Sequence, residues 1–166
     1  MTILNILKYP DKRLKQTAKP VEKFDDDLKI FIKDLEQTRL SGPGAVGIAA
    51  TQVGVMLRVI IVDISKMKKS HNNHGYLVLI NPVITKHSGY VVGREGCLSV
   101  PDYTANVVRA DSIVLYAFDQ SAQQQTYQMS GFEARVVQHE IDHLDGLLFL
   151  DRMISKKSDL FLRKNK

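Results

Sequence analysis

The chain has 166 residues, of which 44% are hydrophobic and 25% are charged, and its formal net charge is +5. That length suits one domain with a substantial core, and the composition is that of an ordinary soluble protein. A membrane-spanning chain is excluded because no apolar run approaches the roughly 18 residues required, and an internal disulfide is excluded because there is a single cysteine.

The N-terminal region predicts no export signal and one amphipathic helix. Residues 1–14 lack the charged lead, long apolar run and cleavage site of a signal peptide, so we expect a cytoplasmic protein. In residues 24–42, apolar side chains recur at i, i+3, i+4 and i+7 from Leu28, which predicts the first helix. Asp25 to Asp27 suit its positive N-terminal end, and the Ser41-Gly42-Pro43 sequence ends it.

A segment rich in small residues, GPGAVGIAATQVG at residues 42–54, follows the helix. Such a backbone is pliable and suits the close approach of a substrate strand. Gln52 near its end is either a surface glutamine or a donor to a developing oxyanion. The glycine spacing fits neither of the common phosphate-binding motifs, so a nucleotide site is disfavoured.

The middle of the chain predicts an antiparallel sheet. Short β-branched and apolar runs are typical of strands and are separated by turn residues. These runs are 58–64, 76–80, 83–92, 104–110, 112–119 and 126–130. The polar segment 65–75 predicts an exposed loop, in which His71 and His74 are more readily solvated residues than metal ligands. Strands followed by one well-marked helix predict an α+β fold, a mainly antiparallel sheet packed around a C-terminal helix, with an N-terminal helix.

The C-terminal helix is predicted from Gly131 onward. Ser130 and Glu133 form the S-x-x-E pattern of a capping box, in which each side chain bonds the other residue's backbone N–H. Gly146 supplies a C-terminal stop. Phe132, Val136 and Leu144 are expected to face the core.

This helix carries the stretch QHEIDH, which contains an H-E-x-x-H pattern. Residues four apart project in nearly the same direction, so His139 and His143 can meet one cation. Glu140 lies at the flank, where it would touch a metal-bound water rather than the ion. The alternative is a polar helix face with two incidental histidines.

A catalytic metal site needs three protein ligands and one open position. Downstream of the pattern the carboxylates are Asp145, Asp151 and Asp159, and none has a persuasive context. Upstream, Cys97 offers a soft thiolate whose pKa a cation would lower. As a lone thiol it is otherwise a small buried hydrophobe. The cysteine and the two histidines would leave one position for water or substrate.

Taken together, three segments resemble the peptide deformylase family in order and spacing: residues 45–52, 95–99 and 138–143. EGCLS and QHEIDH are complete, whereas the first segment has Ala45 where the family usually has glycine. A methyl group there would narrow the substrate cleft. The resemblance implies a metal-dependent hydrolase, a single domain over residues 1–166, that removes the formyl group from the N-terminal formyl-methionine of nascent polypeptides and releases formate.

The resemblance also implies a role for each site residue. Glu140 takes a proton from the attacking water and passes it to the leaving amine, while Gln52 and the backbone N–H of Leu98 stabilise the oxyanion. The peptide would lie as an extra strand between the Val46–Gly47 segment and the strand before Gly96. The implied metal ligands are Cys97, His139 and His143, and the implied substrate-binding residues are Val46, Gly47, Gly96, Phe132 and Val136.

One divalent ion is expected as the cofactor. One thiolate and two imidazoles suit Fe²⁺, Zn²⁺, Ni²⁺ or Co²⁺, and the resemblance favours Fe²⁺ in the cell. The basic C-terminal tail from about residue 155 is either a solvated face or a ribosome contact. It contains Lys156, Lys157, Arg163, Lys164 and Lys166. No membrane or DNA partner is expected.

Two rival functions and two residue roles stay open. A general metallopeptidase shares H-E-x-x-H, although a cysteine ligand is unusual there, and a basic module that binds ribosomal RNA would need no catalytic site. Glu95 and Arg109 form either a pair that steadies the Cys97 segment or an ordinary surface salt bridge. Arg135 lines a pocket mouth or pairs with a carboxylate.

Overall fold

The described residues form two antiparallel sheets and two main helices, of which the C-terminal one contacts both sheets. This computed structural model describes residues 2–67 and 72–163. In that part of the chain the strands are β1 Gly47–Ala49, β2 Val59–Val62, β3 Leu77–Ser88, β4 Val91–Cys97, β5 Val100–Arg109, β6 Ser112–Phe118, β7 Gln124–Ser130 and β8 Leu160–Leu162, and the helices are α1 Asp26–Ser41, α2 Gly131–Leu144 and α3 Lys156–Asp159. Short 3-10 turns span Lys12–Lys15, Ala50–Val53 and Phe149–Arg152.

The five-stranded sheet has the order β1-β2-β3-β6-β7 and the three-stranded sheet has the order β4-β5-β8. Every strand pairing is antiparallel. β1 therefore lies at the edge of one sheet and β4 at the edge of the other. The predicted α+β fold with an N-terminal and a C-terminal helix is confirmed.

The five-stranded sheet is buried on both faces around β2, where one helix covers each face, whereas β6 and β7 alternate between buried and more exposed residues. In β2, Ile60 and Val62 belong to the core cluster under α2, whereas Val59 and Ile61 belong to the cluster under α1. A strand covered on both faces is apolar at every position, which accounts for the continuous run VIIV. A third cluster, around Val107 and Phe149, covers the three-stranded sheet.

The predicted strands 76–80 and 83–92 are divided differently in the structure. β3 continues through Pro82, with a register shift between Ile80 and Val83, so the missing proline N–H interrupts no regular ladder. Asn81 occupies the shift with φ 53° and exchanges hydrogen bonds with the backbone of Val21. The strand ends at Ser88, and β4 begins at Val91.

For α2, the predicted capping box and the predicted burial of Phe132 were wrong, whereas the predicted C-terminal end was right. Ser130 occupies the N-cap but its side chain makes no capping bond. The Glu133 carboxylate does not reach back to Ser130 and binds His74 instead, through the His74 backbone N–H at 2.8 Å and ring at 2.7 Å. Phe132, expected in the core, is 40% exposed. The helix ends at Leu144, and Gly146 follows with φ 78°.

His74 is exposed, as predicted for the loop, whereas His71 lies outside the described residues. Of the basic tail, Lys164 and Lys166 also lie outside them. Among residues 2–67 and 72–163, no helix combines the length and the apolar character needed to cross a membrane.

Candidate metal centre

Helix α2 presents one stripe of side chains to each sheet. Its apolar stripe contains Ala134, Val137, Ile141 and Leu144, which are buried against the five-stranded sheet. A polar stripe runs at i, i+3, i+4 and i+7 along the side that bonds to the β4–β5 region, and it consists of Arg135, Gln138, His139 and Asp142. Helical periodicity therefore assigns the two stripes to different sheets.

Three predicted ligands meet where the two sheets approach each other. The ligand atoms of Cys97, His139 and His143 all lie within 4.8 Å of one another. Cys97 Sγ is 3.3 Å from His143 Nε2. Cys97 ends β4, so the thiol comes from the three-stranded sheet and the imidazoles from α2. The structure thus brings together side chains more than forty residues apart in sequence.

The thiol of Cys97 is surrounded by hydrogen-bond donors. Gln52 Nε2 and the backbone N–H of Ser99 each lie 3.4 Å from Sγ. Gln52 also donates to Ser99 Oγ at 3.1 Å, and its Oε1 accepts from Ala49 N at 2.9 Å. Gln52 is 2% exposed, so it is not a surface glutamine. These contacts fix the position of the sulfur atom relative to the β4–β5 turn.

The orientation of His139 is set by a carboxylate and an aromatic ring. Its Nδ1 lies 2.9 Å from Glu95 Oε1, and the buried ring of Phe149 stacks on it with a centroid separation of 6.1 Å and an interplanar angle of 21°. Since Nδ1 faces Glu95, Nε2 is the nitrogen left to face Cys97 and His143. A carboxylate behind a ligating histidine is common at metal sites, where it fixes ring orientation.

Glu95 is the centre of a buried ionic network. Arg109 binds both of its oxygens at 2.9 Å, and Arg135 binds Oε2 at 2.6 Å. Arg109 also donates to Asp142, which Arg152 holds with two further bonds of 3.0 and 2.8 Å. The side chains of Glu95 and Arg109 are 5% and 4% exposed, so the surface salt bridge alternative for this pair was wrong.

The two imidazoles have opposite pKa shifts. Burial lowers the pKa of His139, but the sulfur of Cys97 and the carboxylate of Glu95 outweigh burial and raise that pKa well above its usual range. For His143, burial and then the neighbouring His139 charge lower the pKa well below its usual range. The lowered pKa favours the neutral form of His143, in which a ring nitrogen offers a lone pair to a cation.

Glu140 lies against the backbone of β1. Burial raises the pKa of Glu140 to about 7; by smaller amounts, the charge of His139 lowers this pKa and the charge of Glu95 raises it. A Cβ atom added to Gly47 would lie 2.7 Å from Glu140 Oε2 and 3.0 Å from Val136 Cγ1. Only a glycine therefore allows β1 to approach the carboxylate this closely. A pKa near neutrality suits a group that must accept and then donate a proton.

The donor set fits a divalent cation. One sulfur and two imidazole nitrogens suit a borderline-soft ion with one position left open. Within the described residues, Glu140 Oε1 and His143 Nδ1 are the buried side-chain polar atoms with no hydrogen-bond partner. The Glu140 oxygen without a partner can still accept a hydrogen bond.

The predicted substrate-binding residues lie on or beside the edge strands β1 and β4 and on the first turns of α2. Gly47 lies on edge strand β1, which Val46 precedes, and Gly96 lies on edge strand β4. Val136 is 5% exposed and lies beside Gly47, whereas Phe132 is one turn earlier and largely open to solvent. Both edge strands reach the centre, because Gly47 of β1 lies beside Glu140 and β4 ends at Cys97.

A family model described as polypeptide deformylase matches residues 3–159. The chain belongs to this family. A peptide deformylase of Thermodesulfovibrio yellowstonii is 39% identical over 166 residues, covering 100% of this chain and 98% of that protein. The deformylase family consists of metal-dependent hydrolases, so the general metallopeptidase alternative is set aside.

Solved deformylase structures have the same fold. A peptide deformylase from Legionella pneumophila has a TM-score of 0.85 and 40% identity, and the match covers 94% of this chain and 89% of that one. A class I type b peptide deformylase from Acinetobacter baumannii bound to Met-Ala-Ser has a TM-score of 0.83 and 34% identity, covering 92% and 99%. The antiparallel architecture is therefore that of the deformylase family.

Sequence reasoning missed two participants in this site and left a third between two roles. Ser99 and Asp142 lie inside the two recognised motifs, yet neither was assigned a contact. Arg135 was expected either to line a pocket mouth or to pair with a carboxylate, and the second alternative is confirmed by its buried bond to Glu95. The signal that could have found Asp142 and Arg135 is the polar stripe of α2, since polar residues at helical spacing on a buried helix require partners.

Proposed function

We propose that the protein hydrolyses the formyl amide of N-terminal formyl-methionine in nascent polypeptides and releases formate. The observation that carries this proposal is the convergence of Cys97, His139 and His143 within 4.8 Å, beside Glu140, in a chain of the deformylase family. The same observation supports assigning these three residues as metal ligands.

A divalent ion held by these ligands would supply Lewis acidity, which makes water a better nucleophile and polarises a carbonyl. Glu140 is proposed to act as the general base that takes the proton from water and then delivers it to the leaving amine. Its buried position, its unpaired Oε1 and its pKa of about 7 support both steps.

Stabilisation of the oxyanion is assigned to Gln52 and to the backbone N–H of Leu98. The Gln52 carboxamide is fixed by its bond to Ala49 N, and its Nε2 faces Cys97 at 3.4 Å. Leu98 follows Cys97 in the turn between β4 and β5, so its backbone lies beside the ligand. Removing one such donor typically lowers the rate on the order of 10²–10³-fold.

The nascent peptide is proposed to bind as a strand between β1 and β4. Both strands are sheet edges, and backbone pairing of this kind is indifferent to the sequence of the peptide. The relative bound to Met-Ala-Ser supports a methionine-first ligand. The methionine side chain is assigned to a pocket of Val46, Phe132, Val136 and the His139 ring, with Gly47 and Gly96 contacting the peptide backbone.

Fe²⁺ is proposed as the ion in the cell, with Zn²⁺, Ni²⁺ or Co²⁺ able to substitute. The mixed sulfur and nitrogen donors support all four, and cellular availability decides among them. A ribosome contact through the basic tail and a cytoplasmic location are also proposed, as is a single catalytic domain over residues 1–166. The exposed Lys156 and Lys157 on α3 support the ribosome contact.

The test is a formate-release assay on anaerobically purified protein, offered formyl-Met-Ala-Ser and acetyl-Met-Ala-Ser together. The proposal predicts formate from the first peptide, no acetate and no internal cleavage. Glu140→Gln should keep the ion but lose about 10²–10⁴-fold in turnover, and Cys97→Ala should lose the ion.

Glu133→Gln is the matched control, because Glu133 is a buried glutamate on the same helix whose carboxylate binds His74. It should retain wild-type turnover. Internal peptide cleavage by the wild type, or full activity of Glu140→Gln, would contradict the proposal.

A further inference from the structure

Arg135 is a buried cation that the proposed chemistry does not use. Arg135 is 8% exposed. Its guanidinium makes three hydrogen bonds. Nη1 donates to Glu95 Oε2 at 2.6 Å and to the Val107 carbonyl at 3.0 Å, and Nη2 donates to the Val91 carbonyl at 2.6 Å. The side chain therefore connects α2 to both β4 and β5 of the three-stranded sheet.

The guanidinium lies flat against the backbone of Gly93. A Cβ atom added to Gly93 would be 2.8 Å from Cζ, 2.8 Å from Nε and 3.0 Å from Nη2 of Arg135. Three nearly equal distances place that Cβ above the face of the planar group. Since three hydrogen bonds tie the guanidinium in its plane, it cannot move away from a methyl group without losing some of them.

Arg135 is linked to the proposed metal ligand His139 through one residue, Glu95. Arg135 and Arg109 share Glu95 Oε2, and Glu95 Oε1 faces Nδ1 of His139. The same strand that contains Gly93 and Glu95 ends at Cys97, the ligand that comes from the opposite side of the centre. The position of Cys97 relative to α2 thus depends on the side-chain bonds between them.

We propose that Arg135 is a positioning residue of the metal centre, and that Gly93 is its structural counterpart. Arg135 holds Glu95 behind His139 and fixes β4, and hence Cys97, at the spacing from α2 that one ion requires. The absence of a side chain at Gly93 is what leaves room for the guanidinium. The inference rests on the proposed function for the identity of the centre.

Arg135→Met is the first variant to measure, because it keeps the aliphatic stem and removes all three donors. Metal affinity, measured by competition with a chelator, is expected to fall about 10–100-fold, the usual effect of losing a residue behind a metal ligand. With excess ion, kcat for formate release should remain reduced while KM changes less. Arg135→Lys should recover part of both, since one ammonium can bind Glu95 but cannot reach all three acceptors.

The matched control is Arg58→Met. Arg58 also binds one carboxylate and two carbonyls, those of Asp145, Leu144 and Ala18, but it does so at the far end of α2. Urea unfolding should show that both substitutions lower the free energy of unfolding, whereas only the Arg135 variants should lose metal affinity. The absorption spectrum of the Co²⁺-loaded protein, which is sensitive to a thiolate ligand, should change only in the Arg135 variants.

A double-mutant cycle tests the pairing with Gly93. Gly93→Ala alone should lower metal affinity and kcat in the same direction as Arg135→Met. When Gly93→Ala is combined with Arg135→Met, it should lower metal affinity and kcat by less than about twofold further, because the guanidinium that the methyl group would displace is already gone. Equal costs in both backgrounds, or a wild-type Co²⁺ spectrum and chelator affinity in Arg135→Met, would overturn the inference. A wild type that binds metal normally but releases no formate would instead refute the proposed function alone.

Discussion

At the scale of single residues, the backbone of Gly47 approaches the carboxylate of Glu140 closely. The space between the Gly47 backbone and the Glu140 carboxylate is too small for a methyl group, since a Cβ atom on Gly47 would lie 2.7 Å from Glu140 Oε2. This approach brings edge strand β1, the proposed peptide partner, directly beside the proposed general base. A substrate paired with β1 would therefore present its N-terminal amide close to Glu140.

Gly47→Ala is expected to lower kcat/KM for formate release by about 10-fold or more, because the new methyl group must displace Glu140 Oε2 and Val136. Overpacking of this kind also costs about 1–3 kcal/mol of unfolding free energy. Formate release and urea unfolding of the same samples measure the two effects. Ala45→Gly, two residues earlier in the same segment, is the control and should keep turnover near that of the wild type. An active Gly47→Ala protein would show that β1 need not contact Glu140.

At the scale of elements, α2 organises the site because its two stripes serve different sheets. The apolar stripe fixes the helix to the five-stranded sheet, and the polar stripe meets β4 and β5 through ionic bonds. The first turn of this helix is held differently from a usual capping box. Glu133 reaches out of the helix to the loop before β3 and binds His74.

This arrangement predicts unequal effects at the two positions of the S-x-x-E pattern. Ser130→Ala should change the free energy of unfolding by less than about 0.5 kcal/mol, because its side chain caps nothing. Glu133→Ala should cost about 1.5–3 kcal/mol, because it removes a buried carboxylate that accepts two hydrogen bonds. Urea denaturation curves of the two variants make the comparison, and a larger loss for Ser130→Ala would restore the capping box.

The sequence was sufficient to predict α2 and the common direction of His139 and His143 because H-E-x-x-H is a local pattern set by helical spacing. It was also sufficient for most strands, which are short β-branched runs. It could not predict that Glu133 would bind His74, because His74 is 59 residues upstream and comes near Glu133 only in the folded protein. Nor could it place Arg135, whose partners Glu95 and Gly93 lie about forty residues upstream and come close only after both sheets form.

At the scale of the whole molecule, the centre lies where two separate sheets meet. One sheet, through α2, supplies both imidazoles, and the other supplies the thiol at the end of β4. The ion that we propose would therefore join parts of the molecule that otherwise contact each other through side chains such as Arg135, Glu95 and Arg109. Cation binding and the relative position of the two sheets are expected to depend on each other.

X-ray absorption of the zinc-loaded protein tests this claim most directly. It should show one sulfur neighbour at about 2.3 Å and two imidazole nitrogens at about 2.0–2.1 Å, and the sulfur neighbour should disappear in Cys97→Ser. A wild-type spectrum with nitrogen and oxygen neighbours alone would contradict the account.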